Sequence, residues 1–117
     1  MISAMQSALS ALSAYSAKIN SNANNIANAN TEGFKKSRVI LSSAEPQGVN
    51  AQTERVDTPG AMIYEQTSNG MEFVEQSNVD IGEELPAMSL NSHFYKANLK
   101  TLQVADEMLG SLLKVKA

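Results

Sequence analysis

Apolar residues recur near the start of the chain at Ile2, Met5, Leu9, Leu12, Ile19 and Ile26, in steps of three and four. Ser16 and Ala23 occupy the two remaining slots of the same series. Such spacing is a heptad seam and predicts one helix over 2–27. The other faces of that helix are Ala and Ser, with a single charge at Lys18. A surface helix normally carries many charges on its polar face. A small-residue helix instead lets neighbours approach closely from several sides. An Asn-rich stretch follows, with Asn20, Asn22, Asn24, Asn25, Asn28 and Asn30, and it weakens the helix because Asn competes for backbone hydrogen bonds. Gly33 is the expected left-handed terminator.

A second series runs through Ile81, Leu85, Met88, Tyr95, Leu99, Leu102, Leu109 and Leu113, with Ser92 and Asp106 in the polar slots. It predicts a long helix over 81–116. Beside it lies a second apolar stripe of Leu90, Phe94, Ala97, Val104, Met108 and Leu112, wide enough for more than one partner helix. Asp80 is the expected N-cap, with Glu83 placed for a capping box. Glu83 and Glu84 suit the positive end of the helix dipole, and Lys114 and Lys116 the negative end. Pro86 falls in the second turn, where it either kinks the helix or delays its start to about Leu85.

Between the helices the alternation is weak. Val39-Ile40-Leu41 reads as a strand. Ser42 to Thr53 is polar, contains Pro46 and Gly48, and reads as a loop or mobile segment. Ala61 to Glu75 reads as a hairpin about Asn69-Gly70, a dipeptide favoured in type I′ turns, with Met62 and Tyr64 facing Met71 and Phe73. The predicted fold class is therefore mainly α: two long terminal helices with coiled-coil-like packing and a small irregular or β-hairpin middle. The organisation is 1–33, a helix and Asn-rich motif; 34–77, a variable β/loop region; and 78–117, the second helix.

Composition narrows the function. In 117 residues the hydrophobic fraction is 43%, but aromatics are 5% and Trp is absent. Large core residues are scarce, so partners are needed to complete burial. Net charge is −3, with Lys35-Lys36 the longest basic run, which argues against nucleic acid binding. Without Cys there is no disulfide, thiolate nucleophile or Cys-ligated metal. The start of the chain lacks the charged and apolar regions of a cleaved signal peptide, and no run approaches the ~18 apolar residues that span a bilayer. His93, the one histidine, reads as a surface or interface residue. Adjacent carboxylates such as Glu83-Glu84 and Asp106-Glu107 point apart on a helix and do not converge on a substrate. No Gly-rich phosphate loop is present. No enzyme, cofactor, metal, small-molecule substrate or membrane insertion is expected.

Two motifs carry a resemblance. The first is Ala23-Asn24-Asn25-Ile26-Ala27-Asn28-Ala29-Asn30-Thr31-Glu32-Gly33-Phe34-Lys35. The second is Ser77-Asn78-Val79-Asp80-Ile81 with Glu83-Glu84, then Tyr95-Lys96-Ala97-Asn98 and Ala105-Asp106-Glu107-Met108-Leu109. In this order, at opposite ends, they resemble the flagellar rod/hook family, the axial proteins of the bacterial basal body. The resemblance covers roughly 1–41 and 76–117, and in size the chain looks like the proximal rod subunits. It departs from the family at Ser92 and His93, where a Gln-Arg pair is usual, and at Pro86. The resemblance implies a structural subunit of the periplasm-spanning rod, exported by the flagellar export apparatus without a cleaved signal. Its terminal helices stay disordered until they pack with other subunits, and with copies of itself, into a helical tube. The alternative is a divergent relative acting as a small coiled-coil adaptor. The expected assembly interface comprises Met5, Leu9, Leu12, Ile19, Asn24, Asn25, Ile26, Asn28 and Asn30 in the first helix and motif. In the second helix it comprises Leu85, Met88, Tyr95, Asn98, Leu99, Leu102, Asp106, Leu109 and Leu113. Asp106, a polar residue in a seam slot, is a candidate for setting register, with the Asn-rich stretch as the partner to test.

Overall fold

The computed structural model describes residues 1–116. Helix α1 spans Ile2–Ala27 and helix α2 spans Ile81–Lys116, with strands β1 (Ser37–Ser43), β2 (Val49–Arg55), β3 (Met62–Thr67) and β4 (Gly70–Glu75) between them. The architecture is mainly α with a small β middle. The strands form two separate antiparallel hairpins, β1-β2 and β3-β4.

The helices lie antiparallel within the one chain. Asn22 hydrogen-bonds Glu84 and Asn91, Tyr15 stacks on Phe94 with centroids 5.3 Å apart, and Met5 lies beside Leu102 and Asp106. The stripe of α1 that is wholly or partly covered reads Met5, Ala8, Leu12, Tyr15, Ile19, Asn22, Ile26. The covered stripe of α2 reads Glu84, Met88, Asn91, Tyr95, Asn98, Leu102, Ala105, Leu109. Both run in three-four steps. About half of each is shared with the seam expected from the large apolar residues, four of seven in α1 and four of eight in α2. The other half is displaced by one position, so Ala8, Asn22, Glu84, Asn91, Asn98 and Ala105 face inward where the larger Leu9, Leu85 and Leu99 do not.

On its other flank α1 carries the β1-β2 hairpin. Ala11 and Ala14 are buried there, and their small side chains allow close approach. Ser10 Oγ accepts the Val49 N–H at 3.1 Å, and a Cβ on Gly48 would lie 2.6 Å from the same oxygen. Segment 42–53 is thus a loop only over 44–48: its remainder is strand, and β2 pairs with β1 over seven residues from Ser37↔Arg55 to Ser43↔Val49. Its polar sequence hid it, because backbone ladder bonds and side-chain contacts to α1 hold it in place of an apolar face. The second hairpin forms where expected, with Tyr64 opposite Phe73. Its two-residue turn, however, is Ser68-Asn69, and positive φ occurs only at Gly70. Type I′ needs two positive values; here Thr67 Oγ1 accepts the Asn69 N–H and closes the turn instead.

Helix α1 stops at Ala27 on an Asn28 C-cap, six residues before Gly33, whose φ is +67°. At α2, Asp80 Oδ1 accepts the Gly82 N–H at 2.8 Å, as an N-cap should. Glu83 turns to Lys36, 3.5 Å away. Regular helix begins at Ile81 and runs through Pro86. The carbonyl that loses its partner there is that of Gly82, in the first turn of the helix. The buried apolar residues are Ala8, Ala11, Leu12, Ala14 and Ala105. This is an alanine core, thin for the length of chain.

Candidate assembly surface

The connection between the hairpins and the helices is built from the two motifs. Asn25 is 1% exposed. Its amide donates to the Ser37 carbonyl at 2.7 Å and accepts the Ser37 N–H at 3.0 Å. One side chain thereby acts as a strand neighbour to β1. Asn78 does similar work from the other motif. Its Oδ1 accepts the Lys36 N–H at 2.7 Å, and its Nδ2 donates to the carbonyls of Val56 and Thr58 at 2.8 and 2.9 Å. Lys35 pairs with Glu75 and donates to the Thr58 carbonyl. Glu75 also accepts the Gly60 N–H at 2.9 Å. The Lys35 hydrogen bond, helped by the Gly60 N–H, holds the Glu75 carboxyl below its ordinary value. Gly60 is required by space, since a Cβ there would lie 1.9 Å from the Gln76 carbonyl oxygen. The motifs thus tie α1, β1, β4 and α2 into one collar.

Along the helix pair, the structure sorts the expected interface residues into two sets. Met5, Leu12, Ile19, Ile26, Met88, Tyr95, Asn98, Leu102 and Leu109 lie wholly or partly covered in the intramolecular seam. Leu9, Asn24, Asn30, Leu85, Leu99, Asp106 and Leu113 are exposed. Asn25 turns to β1, and Asn28 bonds locally to Asn24 and Thr31. Asp106 lies near Met5, at the far end from the Asn-rich stretch, so within the chain that pairing does not occur. Antiparallel pairing of the helices separates them by most of the length of α1. The polar register element is instead Asn22, Glu84 and Asn91, with contacts of 2.7 and 2.9 Å. Sequence reasoning missed it by following size. The signal present was the seven-residue repeat Glu84, Asn91, Asn98, Ala105 beside Met88, Tyr95, Leu102, Leu109.

The exposed leucines form a second face. With Leu9 60%, Leu99 48% and Leu113 68% exposed, this flank of the pair opens into two shallow grooves. One is lined by Ile19, Leu85, Met88 and His93, the other by Met5, Leu99 and Leu102. From Leu85 to Ala105 there is no acidic residue, while Lys96 and Lys100 are present. Among the described residues no three His, Cys, Asp or Glu side chains gather into a metal site. Among the described residues no helix is long and apolar enough to cross a membrane.

Comparison with known proteins bears on both ends. The family described as "Flagella basal body rod protein" matches residues 5–35. "Flagellar basal body rod FlgEFG protein C-terminal" matches residues 72–115. The flagellar hook protein FlgE of Rhizobium meliloti (strain 1021) is 34% identical over 91 residues, which is 78% of this chain and 22% of that protein. The chain therefore spans about a fifth of the length of this relative. The two matched stretches take in most of α1, nearly all of α2 and much of the collar that joins them. These matches make the chain a structural flagellar component. On the strength of both matched ends, it belongs to the flagellar rod/hook family.

Proposed function

We propose that the chain is a structural subunit of the basal-body rod, whose helix pair packs laterally against neighbouring subunits in a helical tube. One observation carries this reading: four leucines of the two heptad series lie outside the intramolecular seam. Leu9, Leu85, Leu99 and Leu113 form an apolar flank on a rod-shaped chain. Inside, small and polar residues, Ala8, Asn22, Glu84, Asn91 and Ala105, alternate with the larger Leu12, Met88, Tyr95 and Leu102. Apolar area left in water stabilises nothing until a neighbour covers it, at roughly 25 cal/mol per Å². Coiled-coil-like contacts between subunits, through Leu9, Leu85, Leu99 and Leu113, supply that cover. The weak inner seam also suits export, because a helix pair with an alanine core opens easily and closes on docking. The neighbours are copies of itself and other rod or hook subunits. The route is the flagellar export apparatus, and the place is the periplasm-spanning part of the basal body.

The test uses Leu9→Asp and Leu99→Asp in cells that lack the wild-type chain. Both positions are exposed, so the purified variants keep stability within about 0.5 kcal/mol of wild type. Basal bodies isolated from these cells lack the variant chain, and the cells are non-motile. Normal incorporation of both variants would sink the rod reading. A discrete, stable dimer or tetramer in solution, disrupted by the same substitutions, would move the assignment to a small adaptor.

A further inference from the structure

Two parts of the molecule, at opposite ends, are left unpartnered. The β3-β4 hairpin makes no contact with any other helix or strand. One face presents Met62, Tyr64, Met71 and Phe73, with Tyr64 and Phe73 rings 4.9 Å apart and Phe73 68% exposed. An isolated two-stranded hairpin is marginal in water, and a contiguous exposed apolar patch marks a contact site. The hairpin is also acidic: residues 62–75 hold three glutamates and no Lys or Arg. Glu65 and Glu72 are direct cross-strand partners, an unfavourable like-charge pair. Neither belongs to any ion pair among the described residues.

The other end has the opposite character. With Met5 level with Leu102 and Asp106, α2 runs on past the first turn of α1. Leu112, Leu113 and Val115 are exposed there. Lys114 and Lys116 stand among them, with no acidic residue from 108 to 116. A strand of six residues is about 20 Å long, and α2 is about 54 Å long. Together they account for the 79 Å long axis, so the hairpin prolongs the helix pair beyond the end where α1 stops.

We infer that a second copy of this chain, stacked end to end in the same orientation, seats the last two turns of its α2 on this hairpin. Leu112, Leu113 and Val115 cover the Tyr64 and Phe73 rings. The stems of Lys114 and Lys116 reach round the edge of a ribbon only two strands wide to meet Glu65 and Glu72. Each copy carries one acidic aromatic end and one basic aliphatic end, so the contact is heterologous and repeats without closing. It adds an axial contact to the lateral one proposed above, and it rests on that reading of the chain as a subunit of an axial assembly.

The chain has no Cys, so engineered thiols report the contact cleanly. Full-length Phe73→Cys and Leu113→Cys variants are mixed under mild oxidation at low salt, after circular dichroism confirms wild-type helix content. The expected result is a Phe73–Leu113 heterodimer at about ten times the yield of a Phe73→Cys plus Leu9→Cys control. Adding Glu65→Lys and Glu72→Lys to the first chain lowers the yield about tenfold, and Lys114→Glu and Lys116→Glu in the second chain restores it. A yield equal to the control, or one that ignores the charge changes, overturns the inference. Those outcomes leave the lateral reading standing if Leu99→Asp still blocks incorporation into basal bodies. Incorporation that survives Leu99→Asp counts against the lateral reading alone.

Discussion

Asn25 has the least exposed side chain among the buried residues, and it is polar. Both ends of its amide are spent on Ser37, one on the carbonyl and one on the N–H. A buried backbone pair that loses such a partner costs its full desolvation penalty. Asn25→Ala is therefore expected to lower stability by about 2–3 kcal/mol and to free the Ser37 amide to exchange, read by urea unfolding and by hydrogen exchange at that residue. Glu75 offers a second residue-level prediction. Its carboxyl is held below the ordinary value of 4.5 by the Lys35 hydrogen bond first and the Gly60 N–H second. A carboxyl depressed in the folded state adds stability above its unfolded pKa, and that stability is lost as pH falls through the folded value. Glu75→Gln should lower the urea midpoint at neutral pH, with the gap to wild type closing as pH falls below the ordinary carboxylate range. A gap independent of pH would exclude this carboxylate as its source.

At the scale of elements, the helix pair is specified by polar contacts more than by bulk. Asn22, Glu84 and Asn91 sit in the seam, where leucines would bury more apolar surface. Polar residues in such slots fix register at a cost in stability. Replacing all three with Leu is expected to raise stability by about 1–4 kcal/mol while loosening register. Thermal melting would read the first effect. Disulfide trapping between α1 and α2 at offsets of one heptad would read the second, and a single trapped offset would deny the polar contacts this role. The β1-β2 hairpin has a different logic. It lies on the Ala11 and Ala14 face of α1, and the small side chains let Ser10, Ser21 and Asn25 bond directly to its backbone. That explains a helix surface nearly free of charge.

As a whole, the molecule is long and thin, with extents of 79 × 24 × 19 Å and a Cα radius of gyration of 20.7 Å. A compact domain of this length would have a radius near 13 Å. A rod of this kind exposes both flanks of its helix pair and both ends. The wild-type monomer in solution is expected to scatter with a radius of gyration close to that of the folded rod. A markedly larger value would mean that the helices part until neighbours cover them. A value a few ångströms smaller would mean that the β3-β4 hairpin folds back onto the helices, whose length of about 54 Å keeps the radius above the compact figure.

Much was decided by the sequence itself. The spans of both helices followed from three-four apolar spacing and from the Asp80 cap, because these are local signals. The β3-β4 hairpin was legible for the same reason, although its turn closes at Ser68-Asn69, one residue before the Asn69-Gly70 pair that signalled it. The two motifs pointed to the family before any contact was known. Only the tertiary structure decided which half of each heptad series faces inward. Leu9 and Ala8, or Leu85 and Glu84, are one residue apart, and size alone favours the leucines. The choice depends on what else must lie against the helices: the β1-β2 hairpin claims one flank of α1 through backbone bonds to Ser10, Ser21 and Asn25. Strand β2 was illegible for a related reason. Its order comes from pairing with β1 and from contacts to a helix distant in sequence, and neither leaves an apolar pattern along the strand.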